Sequence, residues 1–498
     1  MTPYAVGRTP PVAAAAPRAR SIRLPESARL FAAFAAIAVW TALVNLPTFG
    51  REDADDGFFL EAARLWTEGL PPYVATYDVK GPAGFTFLAA AAALLGPTLS
   101  TLKVLSIAAS SLAATALYRI VQRYDRAAAV ACVALYPVLM VVCGDVVYQT
   151  MNATLLVAFA LAFAEPLDRR RAAAAGLAIG LACAIKQTCA LDALAAAYVL
   201  WAKDAPRAER RRALAAFAFA LPIAPAGFFL YYACRGDAGV FLADVVFAAL
   251  RRNPDAPFAA ALRAWAECLF PIAPALIVAA AAQPRAAEIE ARFPLRAVAV
   301  WLGLELAGLA AQKAGCSVYV TPLVAPALII AAIAVSARFG AERPRRRAAA
   351  LVAFAAAVLW TAMAGRGAAV LAKTPALDYA LLDQIKAAVV ATGPRPDDRL
   401  LTINGSAFAN IVADLRPPTP YFHWAHILCD FPGAGLPALA ADLAAKPRYV
   451  VFENPDRRPT CEPAAYANAI DAALAAGYAL AAEGRTPQSR FRLFERAR

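Results

Sequence analysis

The sequence predicts a polytopic α-helical membrane protein that carries a small α/β domain at its C-terminal end. Of its 498 residues, 61% are hydrophobic and only 17% are charged, whereas about a quarter of the residues in a soluble chain are charged. Apolar segments of spanning length follow one another with short polar breaks. From Lys373 onward, short strand patterns alternate with helical patterns, which is typical of an α/β unit.

The N-terminal residues 1–27 are rich in Pro, Ala and Arg, and we expect them to be disordered and cytoplasmic. The first apolar run, Ala28–Leu46, is long enough to cross a bilayer. No small-residue cleavage site follows it, so it reads as a retained anchor rather than a signal peptide.

Apolar runs continue to Met363, so residues 28–372 are predicted to form the membrane domain. Ala193–Trp201 is short for a span and could form a tight hairpin with its neighbour. The predicted crossings, eleven in all, are Ala28–Leu46, Leu102–Val121, Ala127–Val142, Ala153–Ala164, Ala172–Leu191, Ala193–Trp201, Ala213–Cys234, Ala264–Ala282, Leu295–Ala311, Tyr319–Val335 and Ala348–Met363.

The net charge of +13 is concentrated in alternate breaks between these segments. That distribution follows the positive-inside rule and does not resemble a nucleic-acid footprint, so a nucleic-acid partner is not expected. An outer stretch, Arg235–Arg263, carries four arginines and is expected to hold an interfacial helix. The predicted cytoplasmic breaks are Gln122–Arg126, Asp168–Arg171, Lys203–Arg212, Gln283–Arg296 and Arg338–Arg347.

The arginine-rich breaks all fall on the cytoplasmic side only if Pro82–Leu95 is not a full crossing. We therefore predict that Gly57–Glu68 and Pro82–Leu95 are two helices at the outer membrane surface or dipping into it. The count then places residues 373–498, the predicted α/β domain, in the periplasm. Its predicted elements are helices at Leu377–Ala391, Ala407–Leu415 and Leu436–Ala444, and strands at Arg399–Ile403 and Tyr449–Phe452.

Four carboxylates, Glu52, Asp53, Asp55 and Asp56, lie within five positions at the outer end of the first span. They could be solvated loop charge that helps to fix topology. Alternatively, one of them is a general base that activates a hydroxyl or an amine held at the membrane surface. The functional interpretation requires a substrate whose reactive atom also lies at that surface.

Two lysines are candidates for binding an anionic lipid headgroup. Lys80, in the sequence YDVKGPAGF, either holds such a headgroup or snorkels to the interface. Lys186 lies near the outer end of an apolar segment, with Gln187 beside it, where an ionisable group is costly. A structural pairing of Lys186 with Asp192 is the alternative.

The histidines and cysteines give weaker signals. His423 and His426 are spaced by three and could bind a metal with Asp430, but contact with a sugar or lipid is the favoured interpretation, so no metal or other cofactor is predicted. The nine cysteines show no zinc spacing, and Cys429 could form a disulfide with Cys461 if that region lies outside the cytoplasm.

The pattern Asp55-Asp56-Gly57-Phe-Phe-Leu, followed by Gly69-x-x-x-Tyr73 and Tyr77-Asp78-x-Lys80-x-Pro82, resembles the first outer loop of the bacterial GT-C glycosyltransferases. These enzymes are related to protein O-mannosyltransferases and to the lipid A aminoarabinose transferase. Their usual Asp-Glu pair and Lys-Pro-Pro are here Asp55–Asp56 and Lys80-Gly81-Pro82. The segments GLACAIKQTCAL, TPLVAPALII, DRLLTINGSAFANIVADLRPPTPY and KPRYVVFENP also resemble parts of that group.

The resemblance implies a fold with about eleven transmembrane helices and a catalytic first outer loop, residues 49–101. It also implies a bacterial inner-membrane enzyme that uses a polyprenyl-phosphate-linked sugar by inverting transfer. The base would be Asp55 or Asp56, with Asp53 next, and Lys80 and Lys186 would grip the donor phosphate.

Two departures from that group could mean either an altered acceptor or a loss of activity. Relatives place an acidic residue in the second outer loop, where Asn152 stands here and Asp145 lies earlier, and a His-Tyr pair where this chain has Val318 and Tyr319. Further residues expected to contact substrate are Asp78, Asp145, Asn152, Gln187, Tyr319, His423 and His426.

Two other functions fit the same residues. A transporter or flippase of lipid-linked sugars would share the cations but need no base, and a membrane scaffold would need neither. The sequence leaves the sugar and the acceptor open.

Overall fold

The computed structural model describes residues 26–52, 55–248, 258–281, 290, 293–312, 317–339, 343–364, 376–422, 435–454 and 463–497. Its helices up to residue 364 are α1 (Glu26–Asn45), α2 (Asp56–Thr67), α3 (Pro82–Leu95), α4 (Leu99–Val121), α5 (Arg126–Cys143), α6 (Val146–Ala162), α7 (Arg169–Ile185), α8 (Ala190–Trp201), α9 (Arg207–Ala220), α10 (Ile223–Cys234), α11 (Ala238–Leu242), α12 (Phe258–Leu269), α13 (Ala273–Ala281), α14 (Leu295–Gln312), α15 (Thr321–Phe339) and α16 (Pro344–Ala362).

Among the described residues, six helical segments are long and apolar enough to cross a membrane. Several other predicted crossings are helices that are shorter or begin with a run of arginines, such as α7 and α16. The count of eleven therefore stays a prediction. The six segments are Phe31–Thr48, Leu99–Val121, Arg126–Cys143, Arg207–Cys234, Leu295–Gln312 and Val318–Phe339.

The predicted first outer loop, residues 49–101, contains the two helices predicted for it, α2 and α3. Every residue of α2 from Asp56 to Leu65 is buried. A helix at a water interface normally keeps one polar face exposed, so α2 is enclosed by protein. It packs against α3 and α4 and against a later helix formed by Phe408–Ala413.

The C-terminal part contains a four-stranded sheet. Strands β1 (Leu400–Ile403) and β2 (Tyr449–Glu453) are parallel and wholly buried. Each lies within one residue of a predicted strand. Strands β3 (Tyr478–Arg485) and β4 (Arg490–Arg496) form an antiparallel hairpin, and the sheet order is β1-β2-β4-β3. The helices around it are α17 (Tyr379–Ala391), α18 (Phe408–Ala413), α19 (Gly435–Ala444) and α20 (Pro463–Gly477).

Residues 376–422 lie directly on the first outer loop. The backbone N–H of Tyr77 donates to the carbonyl of Pro420 at 2.8 Å, and that of Leu377 donates to Gly50 at 3.0 Å. The ring of Phe58 packs on Phe422 with centroids 5.4 Å apart. The loop is thus covered on the side opposite the apolar helices.

A network of ion pairs connects α2 to residues 376–422. Arg64 donates to both carboxylate oxygens of Glu61, at 2.8 and 2.7 Å, and to Glu68 at 2.7 Å. It also reaches Asp414 at 3.3 Å, and Arg416 donates to Glu68 at 2.8 Å. Burial raises the pKa of Glu61 even though Arg64 opposes the shift. Arg64 therefore holds together the buried carboxyl and the C-terminal part.

We expect Arg64→Met to destabilise the protein by about 3–5 kcal/mol, because it leaves the buried Glu61 without its bidentate partner. The matched control is Arg416→Met, whose side chain is 40% exposed and whose loss should cost about 1 kcal/mol or less. Thermal unfolding in detergent measures both effects, and faster amide hydrogen exchange at residues 414–416 should accompany the first. Equal effects of the two substitutions would contradict the role given to Arg64.

Candidate active site

The adjacent carboxylates Asp55 and Asp56 point to different cations. Asp55 precedes α2, its side chain is 29% exposed, and one of its oxygens lies 3.9 Å from the Nζ of Lys80. Asp56 begins α2, is only 3% exposed, and lies 3.1 Å from the Nζ of Lys103 on α4. The predicted third candidate, Asp53, lies outside the described residues. Asp55 is therefore the more exposed of these two carboxylates.

Lys80 is held in place by its own loop. Its Nζ lies 3.2 Å from Asp78 Oδ2, and Asp78 Oδ1 accepts from the backbone N–H groups of Val79 and Lys80 at 2.6 and 3.1 Å. The hydroxyl of Tyr73 donates to the Lys80 carbonyl at 2.5 Å. The ammonium also lies 4.9 Å from the ring centroid of Phe59. A snorkelling lysine extends into water, whereas this one is buried among fixed partners.

Lys186 follows the last residue of α7 and lies between two tyrosine rings. Its Nζ is 4.2 Å from the ring centroid of Tyr148 and 4.0 Å from that of Tyr319, and it donates to the Tyr148 hydroxyl. The two rings are nearly perpendicular. Asp192, the alternative partner, accepts a hydrogen bond from the indole of Trp301 at 3.0 Å.

The two lysine-bearing segments touch each other. The backbone N–H of Gly81 donates to the carbonyl of Ile185 at 2.8 Å. The side chain of Gln187 donates to the carbonyls of Val79 and Val245 at 2.9 and 2.8 Å. A Cβ on Gly81 would lie 2.1 Å from the carbonyl oxygen of Ala184, so this approach requires glycine. Lys80 and Lys186 are therefore neighbours at the start of α3 and the end of α7.

The remaining residues predicted to contact substrate lie on α6 or outside the described part of the chain. Asp145 caps α6 by accepting from the backbone N–H of Tyr148 at 2.9 Å. It therefore lies next to Tyr148, the residue that contacts Lys186. Asn152 lies further along α6 and is buried, with its amide 3.6 Å from the sulfur of Met140. His423, His426, Cys429 and Cys461 lie outside the described residues.

Sequence reasoning missed Lys103 and Tyr148. Lys103 could have been noticed as the one cation in the first turns of an apolar span. Nothing local singles out Tyr148, because its role comes from contact with Lys186. Within the described part of the chain, no three His, Cys, Asp or Glu side chains converge as metal ligands.

Comparison with known proteins agrees with the predicted resemblance. A family model described as dolichyl-phosphate-mannose-protein mannosyltransferase matches residues 79–229, a range that includes Lys80 and Lys186. No curated protein matches the chain significantly.

Solved structures extend the similarity to most of the chain. The apo structure of ArnT from Cupriavidus metallidurans shares 14% identity, covers 94% of this chain and 98% of its own, and superposes with a TM-score of 0.64. The structure of the same protein bound to undecaprenyl phosphate has the same identity and coverage and a TM-score of 0.60. An apo oligosaccharyltransferase from Archaeoglobus fulgidus shares 12% identity over 86% of this chain and 70% of its own, with a TM-score of 0.50. The predicted resemblance to the GT-C glycosyltransferases is thus confirmed by a family model and by the fold.

We expect Gly81→Ala to destabilise the protein by about 1–3 kcal/mol, because the new methyl group must displace the Ala184 carbonyl. It should also expose the amides of residues 185–187 to faster hydrogen exchange. The control is Gly303→Ala in α14, where a Cβ meets nothing within 4 Å and where alanine is the better helix former. Identical melting temperatures for both variants would show that the two segments do not depend on close contact.

Proposed function

We propose that this chain is an integral membrane glycosyltransferase that moves a sugar from a polyprenyl phosphate to an acceptor at the outer membrane face. The observation that carries the proposal is the meeting of Asp55, Lys80 and the Lys186 segment beneath residues 376–422. The membrane would be a bacterial inner membrane, crossed about eleven times, with the C-terminal α/β domain in the periplasm.

Two lysines and one structural relative support a polyprenyl phosphate as the class of donor. Lys80 and Lys186 lie on adjoining backbone segments, at the start of α3 and the end of α7. Fixed cations stabilise the negative charge that develops on a departing phosphate. ArnT, which shares the fold, has a structure with undecaprenyl phosphate bound. A long-chain phosphate is the ligand that fits both observations.

Asp55 is the favoured base. Its carboxylate is partly exposed, and the Lys80 ammonium at 3.9 Å favours the ionised form that a base requires. Asp56 is almost fully buried and already paired with Lys103. Asp55 therefore has access to an incoming acceptor, and Asp56 does not.

The reaction proposed is a single inverting displacement. Asp55 takes the proton from the acceptor hydroxyl or amine as that group attacks the anomeric carbon of the sugar. The bond between this carbon and the phosphate oxygen breaks, and the electron pair leaves with the phosphate. Lys80 and Lys186 hold that phosphate, while α2 and the covering residues limit the access of water.

Replacement of Asp55 by Asn should lower the transfer rate by about 10²–10⁴-fold, because the general base is removed while the side chain keeps its size. Asp56→Asn should retain measurable transfer, and Asp471→Asn, an exposed carboxylate on α20, should match the wild type. Thin-layer analysis of membranes incubated with a labelled polyprenyl-phosphate sugar measures the product.

Full transfer by Asp55→Asn would exclude Asp55 as the base. Movement of the intact donor across the membrane by the wild type, without cleavage of the sugar–phosphate bond, would favour a flippase. All three variants should melt within a few degrees of the wild type, which separates loss of chemistry from loss of fold.

A further inference from the structure

Two runs of arginines lie at the beginnings of α7 and α9, and the proposed reaction uses neither of them. Both runs fall in breaks that are predicted to be cytoplasmic. All of these arginines are exposed except Arg210, which is half-buried. The two runs consist of Arg169, Arg170, Arg171, Arg207, Arg210, Arg211 and Arg212.

The helices α7 and α9 pack against each other with their backbones in contact. A Cβ on Gly176 would lie 2.2 Å from the carbonyl oxygen of Phe217, and one on Gly180 would lie 2.0 Å from that of Leu221. Small residues spaced by four allow membrane helices to approach this closely. Because both contacts follow the same register in the same direction, the two helices are parallel.

The same register continues to the beginnings of the two helices. One turn before those contacts, Ala172 and Ala213 are both buried. The residues immediately before them are Arg171 and Arg212. The two arginine runs therefore lie side by side, and we call this surface the arginine patch.

The positive charge of the arginine patch is not balanced by its acidic neighbours. Asp168 caps α7 by accepting from a backbone N–H of the first turn at 3.2 Å, and Glu165 pairs with Lys203 at 3.3 Å. Asp204 and Glu209 are exposed to solvent. In the part of the chain that the structure describes, no arginine of the patch forms an ion pair. The positive ends of two helix dipoles add to this excess, so the surface favours a bound anion.

The neighbours of the arginine patch are those of a membrane interface. The guanidinium carbon of Arg210 lies 4.9 Å from the ring centroid of Trp201, and Arg210 donates to the Trp201 carbonyl at 3.0 Å. Tryptophan is enriched at the level of the lipid headgroups. Further along the same two helices, Leu177 and Phe219 are 44% and 79% exposed. A charged surface therefore continues into an apolar one, which suits a lipid better than a soluble anion.

We propose that the arginine patch binds the phosphate of an anionic phospholipid, whose acyl chains lie along the exposed apolar side chains of α7 and α9. Guanidinium groups bind phosphate through paired hydrogen bonds, and basic sites between helices on the cytoplasmic side suit such headgroups. The patch lies at the opposite end of α7 from Lys186. It is therefore separate from the site of the proposed reaction and independent of that reaction.

The test is native mass spectrometry of the full chain in a non-ionic detergent, titrated with dioleoyl phosphatidylglycerol or dioleoyl phosphatidylcholine. The two lipids have the same acyl chains, but only the first has a net charge. We expect the wild type to bind phosphatidylglycerol about tenfold more tightly than phosphatidylcholine. Arg170→Gln/Arg211→Gln should weaken the binding of phosphatidylglycerol by about tenfold or more, because each arginine near an anionic headgroup contributes about fivefold in affinity.

The matched control is Arg345→Gln/Arg346→Gln at the start of α16. It removes the same charge from exposed arginines, but from a single run, so it should bind phosphatidylglycerol within about twofold of the wild type. Arg170→Lys/Arg211→Lys keeps the charge that orients the helices and guards the test against misfolding of the glutamine variant. Because lysine lacks the planar fork of arginine, this variant should bind phosphatidylglycerol about two- to fivefold more weakly than the wild type.

Arginines that serve membrane orientation alone would bind the two lipids equally, and that result would overturn the proposal. Equal losses in the two glutamine variants would show a general effect of charge and would overturn it as well. Displacement of phosphatidylglycerol by an equal concentration of inorganic phosphate would show a site for soluble anions instead of lipid. None of these measurements depends on sugar transfer, so the proposed function stands or falls separately.

Discussion

The site depends on one backbone contact, the hydrogen bond from Gly81 to the carbonyl of Ile185. It joins two segments that are far apart in sequence, and it forms only because Gly81 has no side chain to meet Ala184. Lys80 precedes one partner and Lys186 follows the other. The contact thus holds the backbone of Lys80 close to that of Lys186 and fixes where α3 begins relative to the end of α7.

The charged side chains of α2 lie in an enclosed part of the protein. The helix α2 is buried between the apolar helices and residues 376–422, and Arg64 ties the layers together through Glu61 and Asp414. Charges interact more strongly in such an environment than in water. Asp55 and Asp56 differ in exposure, 29% against 3%, and they lie near different lysines, Lys80 and Lys103.

The helices and strands near the candidate site could be predicted from the sequence. Consecutive acidic residues, a Lys-Gly-Pro turn and a lysine at the end of an apolar helix are all patterns within a short window, and the helices α2 and α3 and the strands β1 and β2 lie close to the predicted positions. The contacts that these residues make could not be predicted, because they join distant parts of the chain. The pairing of Asp56 with Lys103 and the placement of Lys186 against Tyr148 are tertiary contacts without a local pattern.

The β3–β4 hairpin was missed for another reason. Its outer strand, β3, is largely exposed and rich in alanine, so it lacks the apolar alternation that marks a strand.

We propose that Lys80 and Lys186 hold a lipid phosphate beside Asp55. The most direct measurement is an experimental structure of the protein in lipid nanodiscs with undecaprenyl phosphate. We expect density for the phosphate within about 3 Å of both ammonium groups, with the Asp55 carboxylate facing that phosphate. A phosphate bound away from both lysines, with Asp55 directed into bulk water, would contradict it.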